Sequence, residues 1–391
     1  MVDRTLFILA AILITTGIVC SYSFTTYTIL HYGYNEFHFV VRQLIAGIGA
    51  IFIMWWLSRR DPAKWTNYLG ISIFLIFFIL MFIMYFLPSN MVTSAGGAKR
   101  WIRFPGFSLA PVEFFKVGFV YFLAWSFSRK FSASDKPKNL IEEIKLITPY
   151  LFVFFIAVLL IAVLQNDLGQ VMVLGLTLSI MLFFAGRTFK LFATLIGIAF
   201  TLFVVFIFVS EHRIIRIKMW WANAQNYILN FLPETLAEKL KVNVTEEPYQ
   251  ISHSLNAIHH GGITGTGLSE GSFKLGFLSE IHTDFVLSGI AEEFGFIGVF
   301  AVTLVVVLLI HRIFRIANRS EEPIDYLFCI GVALLIGFSF MMNAYGISGI
   351  TPIKGIAVPF LSYGGSAMLA NGLALGMVLM ISKKVNSRRI E

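Results

Sequence analysis

The chain has 391 residues, of which 57% are hydrophobic and only 13% charged. A soluble domain carries about twice that charge, so composition excludes a water-soluble globular protein and indicates a polytopic membrane protein. The net charge of +8 does not imply a nucleic-acid partner, because basic residues in membrane proteins collect in cytoplasmic loops.

Apolar runs near membrane length predict an all-α architecture with about ten transmembrane helices, at 5–27, 38–58, 66–87, 109–127, 146–164, 168–186, 190–210, 285–311, 325–347 and 359–382. The first run is read as a retained span, since no convincing small-residue cleavage site follows it. Cys20 and Cys329 both fall inside apolar runs and suggest no disulfide framework. With the N-terminus inside, eighteen of the thirty Lys and Arg residues fall on inside segments. Both termini are then cytoplasmic. The whole chain reads as one transmembrane domain with two outward loops, 88–108 and 211–284. The second is too long to be a simple connector. Its segment "RIIRIKMWWANAQNYILNFL", with Trp220 and Trp221, reads as an interfacial helix with an aromatic anchor that could also border a lipid's path. "NVT" at 243–245 matches a glycosylation acceptor but carries little weight outside a eukaryotic context.

Four polar clusters interrupt the apolar pattern, all at the outer ends of spans. In "GGAKRWIRFPGFSLAPVEFFK", Lys99, Arg100 and Arg103 surround Trp101. They form either a solvated loop or a cradle for a diphosphate head group. Glu113 and Lys116 are three apart and share a helical face, as a structural ion pair or as a cavity lining. In "LQNDLGQ", Asp167 can cap the following helix, a role compatible with one in a site. From Tyr249 to Glu293 come five clustered glycines, four histidines, Lys274 and the acids Glu280, Asp284, Glu292 and Glu293. "GGITGTG" lacks the Lys-Ser/Thr of a P-loop and reads as a tightly folded turn. His253, His259 and His260 lack the spacing of a helical zinc motif. In "TPIKGIAVPFLSYGGSAMLANG", Pro352 and Pro359 break helices around Lys354, and Gly364, Gly365 and Ser366 suit close helix packing or a broken-helix cavity. On an unbroken helix, Glu292 would lie about 80° around from Asp284 and Glu293 opposite it. Glu292 is therefore read as lining the same cavity, Glu293 as pairing with a neighbouring helix, and Glu280 as loop surface. Together the clusters suit an outer-leaflet cavity for a substrate with a lipid tail and a charged head.

The ordered motifs "GAKRWI", "P-x-E-F-x-K", "NDLG", "YQ-x(3)-SL-x-AI", "GG-x(2)-G-x-G", "HTDF-x(6)-EE-x-G-x-IG" and "PFLSYGGS" cover most of residues 1–385. In them the chain resembles the SEDS family of bacterial cell-wall proteins, with "TPIKG" ahead of "PFLSYGG" closer to the division form than to the elongation form. Two departures stand out. The family's "QPSE" reads "APVE" at Ala110–Glu113, and its "LPE" reads "LSE" at 278–280.

The resemblance implies a peptidoglycan glycosyltransferase in the bacterial cytoplasmic (inner) membrane. It would polymerise lipid II on the outer face, with a class B penicillin-binding protein and other divisome proteins as partners. It makes Asp284 the essential Asp, Arg100 and Trp101 the family's Arg-Trp pair, and Glu113 and Lys116 its embedded pair. Asp284 is the candidate base for the acceptor hydroxyl, its basicity raised by desolvation. Lys99, Arg100 and Arg103, with Lys116, Lys274 or Lys354, are the candidate diphosphate clamp. Gln250, Ser362, Tyr363 and Ser366 complete the candidate substrate contacts. A divalent cation (Mg or Mn) could share the clamp's task, with Asp167 or Glu113 as ligand. The rival readings are a lipid II flippase, an elongation-type polymerase and a scaffold docking through the first and ninth spans and loop 88–108.

Overall fold

A computed structural model describes residues 2–387 except 89, 96–97, 132–138, 209–210, 232, 243–248, 279 and 353–354. Without water to satisfy its peptide groups, a segment in lipid must close its own hydrogen bonds, and each long apolar run is helical. In chain order the elements are α1 (Arg4–Phe24), α2 (Thr26–Tyr32), α3 (His38–Ser58), α4 (Pro62–Phe86), β1 (Val92–Ala95), β2 (Ala98–Phe104), β3 (Phe107–Leu109) and α5 (Pro111–Lys130). Then follow α6 (Leu140–Val158) with a π-helical end (Leu159–Leu164), α7 (Leu168–Phe184), α8 (Phe189–Phe208), α9 (Glu211–Ile228) and α10 (Glu234–Leu240). The chain finishes with α11 (Tyr249–Gly261), α12 (Val286–Ala317), α13 (Pro323–Ile347) and α14 (Gly365–Ser387).

Among the described residues, seven helices are long and apolar enough to cross a membrane: α1, α3, α4, α6 with its π end, α12, α13 and α14. The chain is a multi-pass membrane protein. Helix α7 and the first part of α8 are shorter apolar helices, and α5 carries Glu113, Lys116, Arg129 and Lys130. Burial separates centre from rim: 61% and 72% of the apolar windows of α13 and α14 are buried, against 28% and 22% in α4 and α12. Both cysteines are buried and free.

The expectation of an all-α chain needs one correction. Part of loop 88–108 folds as an antiparallel sheet in the order β1-β2-β3. Pro105-Gly106 turns β2 into β3 with Gly106 at φ +87°, the backbone that a type II turn demands of its third residue. Val92 and Ile102 pack on Met84 at the end of α4, which seats the sheet on the bundle.

Close helix packing also differs from expectation. A Cβ at Gly365 would meet Ala46 at an ordinary 3.7 Å, whereas at Gly372 and Gly376 it would lie 2.8 Å from α3 side-chain atoms. The small-xxx-small approach of α14 to α3 is therefore two turns further along than "SYGGS".

Helix α12 is broken near its start. Gly295 has φ +66° and ψ −166°, outside helical space. The backbone groups released there are taken by the glycine-rich loop 262–267. Thr266 and Gly267 donate to the carbonyls of Glu292 and Glu293, and Phe296 donates to Gly262. Glycine is required at the contact, since a Cβ on Gly265 would lie 2.3 Å from the Glu293 carbonyl oxygen. The expected tight turn is thus a patch over a helix break inside the fold.

Helix α9 forms over most of the segment expected to be interfacial, but its tryptophans are tied to protein. Trp220 Nε1 donates to the Gly349 carbonyl and Trp221 Nε1 to that of Leu240, each at 2.8 Å. "NVT" at 243–245 lies outside the described residues.

Candidate active site

Asp284 lies just ahead of α12, in a loop held from three sides. Asn343 of α13 donates its side-chain amide to the Asp284 carbonyl (2.6 Å) and to the Ile356 carbonyl (2.8 Å). Ser362 donates to the Thr283 carbonyl (2.6 Å) and accepts from Val358 N. Tyr363 N donates to the His282 carbonyl. Gly355 approaches so closely that a Cβ there would lie 2.8 Å from Asp284 Oδ2. Phe360, in the same loop cluster, has φ +66°, a conformation uncommon and strained for a bulky residue.

The Asp284 backbone is thus fixed while its carboxylate has no hydrogen-bond partner among the described residues. Burial, with the nearby charges of Glu280 and Asp167 adding to it, pushes its pKa up from 3.8 to about 7, against the opposing field of Arg100. Burial likewise raises Asp167, again opposed by Arg100, and lowers His282. A carboxyl that titrates near neutrality, on a clamped loop, is suited to accept a proton.

Arg100 links this loop to the next cluster. It donates to the carbonyls of Gln165 (2.9 Å) and Asn166 (2.8 Å), at the end of the π-helical turn. Carbonyls orient a guanidinium without neutralising it, so its positive field reaches both Asp167 and Asp284. Asp167 caps α7 as expected, accepting from Gln170 N. Gln170 closes a triangle with the embedded pair. Lys116 meets Glu113 at 2.8 Å and Gln170 Oε1 at 2.8 Å, and Gln170 Nε2 donates to Glu113. Both readings of Glu113 and Lys116 hold, because this ion pair also lines a narrow cavity with α13, α14 and Pro359.

Several expected substrate contacts are committed elsewhere. Lys99 donates to the carbonyls of Tyr85 and Leu87 at the end of α4 (3.0 and 3.3 Å), so helix capping fixes its position. Lys274 is buried against Glu293 at 2.8 Å and also donates to Ser23 of α1. Its ammonium is thus engaged by Glu293 and Ser23. The hydroxyls of Ser362 and Ser366 each use their one proton on a backbone carbonyl, Thr283 and Ser108 respectively, and act as stitches between loops. Tyr363 packs its ring on Phe39 and His282. Trp101 is half-buried in β2 opposite Thr93, and Gln250 is exposed on the first turn of α11. Lys354 lies outside the described residues.

Glu292 also departs from its expected role. Its Oε1 accepts from the backbone of Ser272 (2.6 Å) and Phe273 (3.1 Å) and meets His260 Nδ1 at 3.2 Å. Helix α12 starts only at Val286, so Asp284 is not on it, and this defeats the straight-helix projection that placed Glu292 beside it. Glu293 pairs as expected, with α1 among its partners, and Glu280 is exposed and accepts from Thr283.

The donor set does not fit a cation at Glu113, whose oxygens are held by Lys116 and Gln170. Among the described residues no group of three or more His, Cys, Asp or Glu is arranged to hold a metal ion. Sequence reasoning missed Asn343 and Gln43; the latter bridges Ser362 O and Gly364 N. The available signal was the lone amide side chain in each span.

Residues 3–387 match the FtsW/RodA/SpoVE family, described as "Cell cycle protein". The chain belongs to this family. A Helicobacter pylori (strain J99) protein called a probable peptidoglycan glycosyltransferase FtsW is 51% identical over 382 residues, covering 97% of this chain and 98% of the relative. A Geobacter sulfurreducens (strain DL-1 / KN400) protein of the same name is 31% identical over 387 residues, covering 98% and 95%. The fold is shared with solved structures at 21% identity. One, described under structural coordination of polymerization and crosslinking by a peptidoglycan synthase complex, superposes with a TM-score of 0.73 over 98% of both chains. Thermus thermophilus rod shape determining protein RodA gives 0.64 over 98% and 97%. In this SEDS chain the "HTDF", "SYGGS", "NDLG" and "AKRW" motifs form one cluster, although they are spread across the sequence.

Proposed function

We propose that the chain is a peptidoglycan glycosyltransferase that polymerises lipid II at the outer face of the bacterial inner membrane, in the division rather than the elongation machinery. The supporting observation is the half-buried Asp284 carboxyl, without a hydrogen-bond partner among the described residues, tuned to about 7 and set on a loop clamped by Asn343, Ser362 and Tyr363. In the proposed reaction the acceptor sugar's 4-hydroxyl attacks the anomeric carbon of the donor. Asp284 takes the hydroxyl proton as the new bond forms, and undecaprenyl diphosphate leaves. Arg100, held by carbonyls and so still cationic, supplies the nearest described positive field for the leaving group. Lys116 positions Glu113 and Gln170 beneath. No step is routed through a cation.

The same reading carries the finer topology: ten spans, one transmembrane domain and both termini cytoplasmic, with loops 88–108 and 211–284 outward. It also carries a class B penicillin-binding protein as partner. The deciding test gives purified protein, with its cognate penicillin-binding protein, lipid II in detergent and in vesicles. Glycan polymer from wild type and none from Asp284→Ala supports the reading. Lipid II transfer across vesicles without polymer would replace it with a flippase.

A further inference from the structure

The connection between α1 and α3 carries a run of exposed rings that leads to the loop of Asp284. Residues 31–37, "HYGYNEF", are all exposed, with Tyr32 67% and Tyr34 45% accessible. The rings are not scattered. Tyr32 tilts on Tyr34 at 6.2 Å, and Tyr34 stacks on His38 at 4.6 Å and meets Phe39 edge-on at 5.6 Å. Phe39 is buried and touches both His282 (5.7 Å) and Tyr363 (5.2 Å). His282 lies two residues before Asp284. The ladder therefore begins on the exposed surface and ends against the loop that holds the proposed base.

An aromatic belt at the lipid interface is the ordinary explanation for exposed tyrosines. Three features oppose it. The strip includes His31, Asn35 and Glu36, groups that gain nothing from hydrocarbon. Gly33 at φ +68° and the Asn35 side chain, which accepts from Phe37 N, fold it as a defined turn. The innermost rings contact the site and not the bundle's rim.

We propose that this ladder is a binding platform for a β-1,4-linked amino-sugar glycan, the strand that the site extends. Pyranose rings present C–H faces that lie on aromatic rings, while their hydroxyl and amide edges need polar neighbours such as Asn35 and Glu36. Tyr32 and Tyr34, with centroids 6.2 Å apart, offer two adjacent sugars an exposed ring each, and buried Phe39 ties them to the loop of Asp284. Such a platform keeps one end of a growing polymer beside Asp284 through repeated additions. This rests on the polymerase reading above.

The test separates the two ideas. Catalytically silent Asp284→Asn protein is titrated with a soluble chitotetraose, and binding is read by calorimetry. Adding Tyr32→Ala and Tyr34→Ala weakens binding about tenfold, the effect of losing two ring contacts of ordinary strength. Tyr34→Trp retains it. In the otherwise wild-type protein the double substitution shortens the glycan strands on a gel. Unchanged chitotetraose affinity, or unchanged strand length in a protein that polymerises, overturns the platform. Absence of polymer from wild type instead overturns the polymerase reading.

Discussion

Asp284 and the pair Glu292–Glu293 lie within ten residues of each other and have opposite surroundings. Glu293 is buried against Lys274 and a serine of α1, and Glu292 collects two backbone N–H groups. Asp284 has its backbone fixed on three sides, and its carboxylate accepts no hydrogen bond from a described residue. The difference separates structural from chemical acids better than position in the span does. A paired acid ties the start of α12 to α1 and the 272–274 loop, whereas an unpaired one on a rigid loop is suited to proton transfer. The cations divide the same way. Lys116 and Lys274 face glutamates, while Lys99 and Arg100 are oriented by carbonyls and keep their charge.

The strongest challenge to this comparison is Asp284→Asn. It should lower polymerisation from lipid II by about 10²–10⁴-fold and leave folding intact. An ionised carboxylate with a raised native pKa costs stability as pH climbs from about 4 to 7, and fully above that. The variant should therefore melt higher than wild type at pH 8, with a smaller gain at pH 5. Unchanged activity would place Asp284 outside the chemistry.

Lys274→Met should act in reverse, destabilising the fold by about 3–5 kcal/mol through the stranded Glu293. A detergent melt should show recovery when Glu293→Leu is added. If the single change is silent, the pair is not structural. Asn343→Ala removes two hydrogen bonds to buried carbonyls, worth about 1–3 kcal/mol. It should lower kcat more than it raises KM, because it frees the loop and not the substrate pocket. The smallest effect concerns pH. Activity should rise with pH and level off above about 7, the carboxyl's native pKa. Glu280→Gln should move that midpoint down, since the Glu280 charge helps raise it. A midpoint that stays in place would leave Glu280 uninvolved.

Much of this was legible from residue types alone. Apolar runs gave helices, "PVEFFK" placed Glu113 over Lys116 at helical spacing, and Asp167 read as a cap. What escaped depended on contacts distant in sequence. Nothing near Lys274 announces that Glu293 and Ser23 neutralise it. The break at Gly295 was hidden because "EEFGFIGVF" keeps the hydropathy of a continuous span, and the loop that repairs it lies about thirty residues earlier. The sheet in 88–108 escaped because its strands are only four, seven and three residues long. Asn343 became visible as a clamp only once α13 stood beside the loop.

The clamp on Asp284 has a consequence for biosynthesis. Every partner of the buried glutamates named above (Ser23, His260, the 262–267 backbone, Ser272, Phe273, Lys274) precedes them in the chain, so α12 can emerge from the ribosome with its repairs already made. The residues that fix Asp284 all follow it: Asn343, Ser362 and Tyr363. A nascent chain ending after α12 would have its buried glutamates satisfied and its Asp284 loop untethered. The loop reaches its clamped geometry only when Tyr363, just ahead of the last helix, has been delivered.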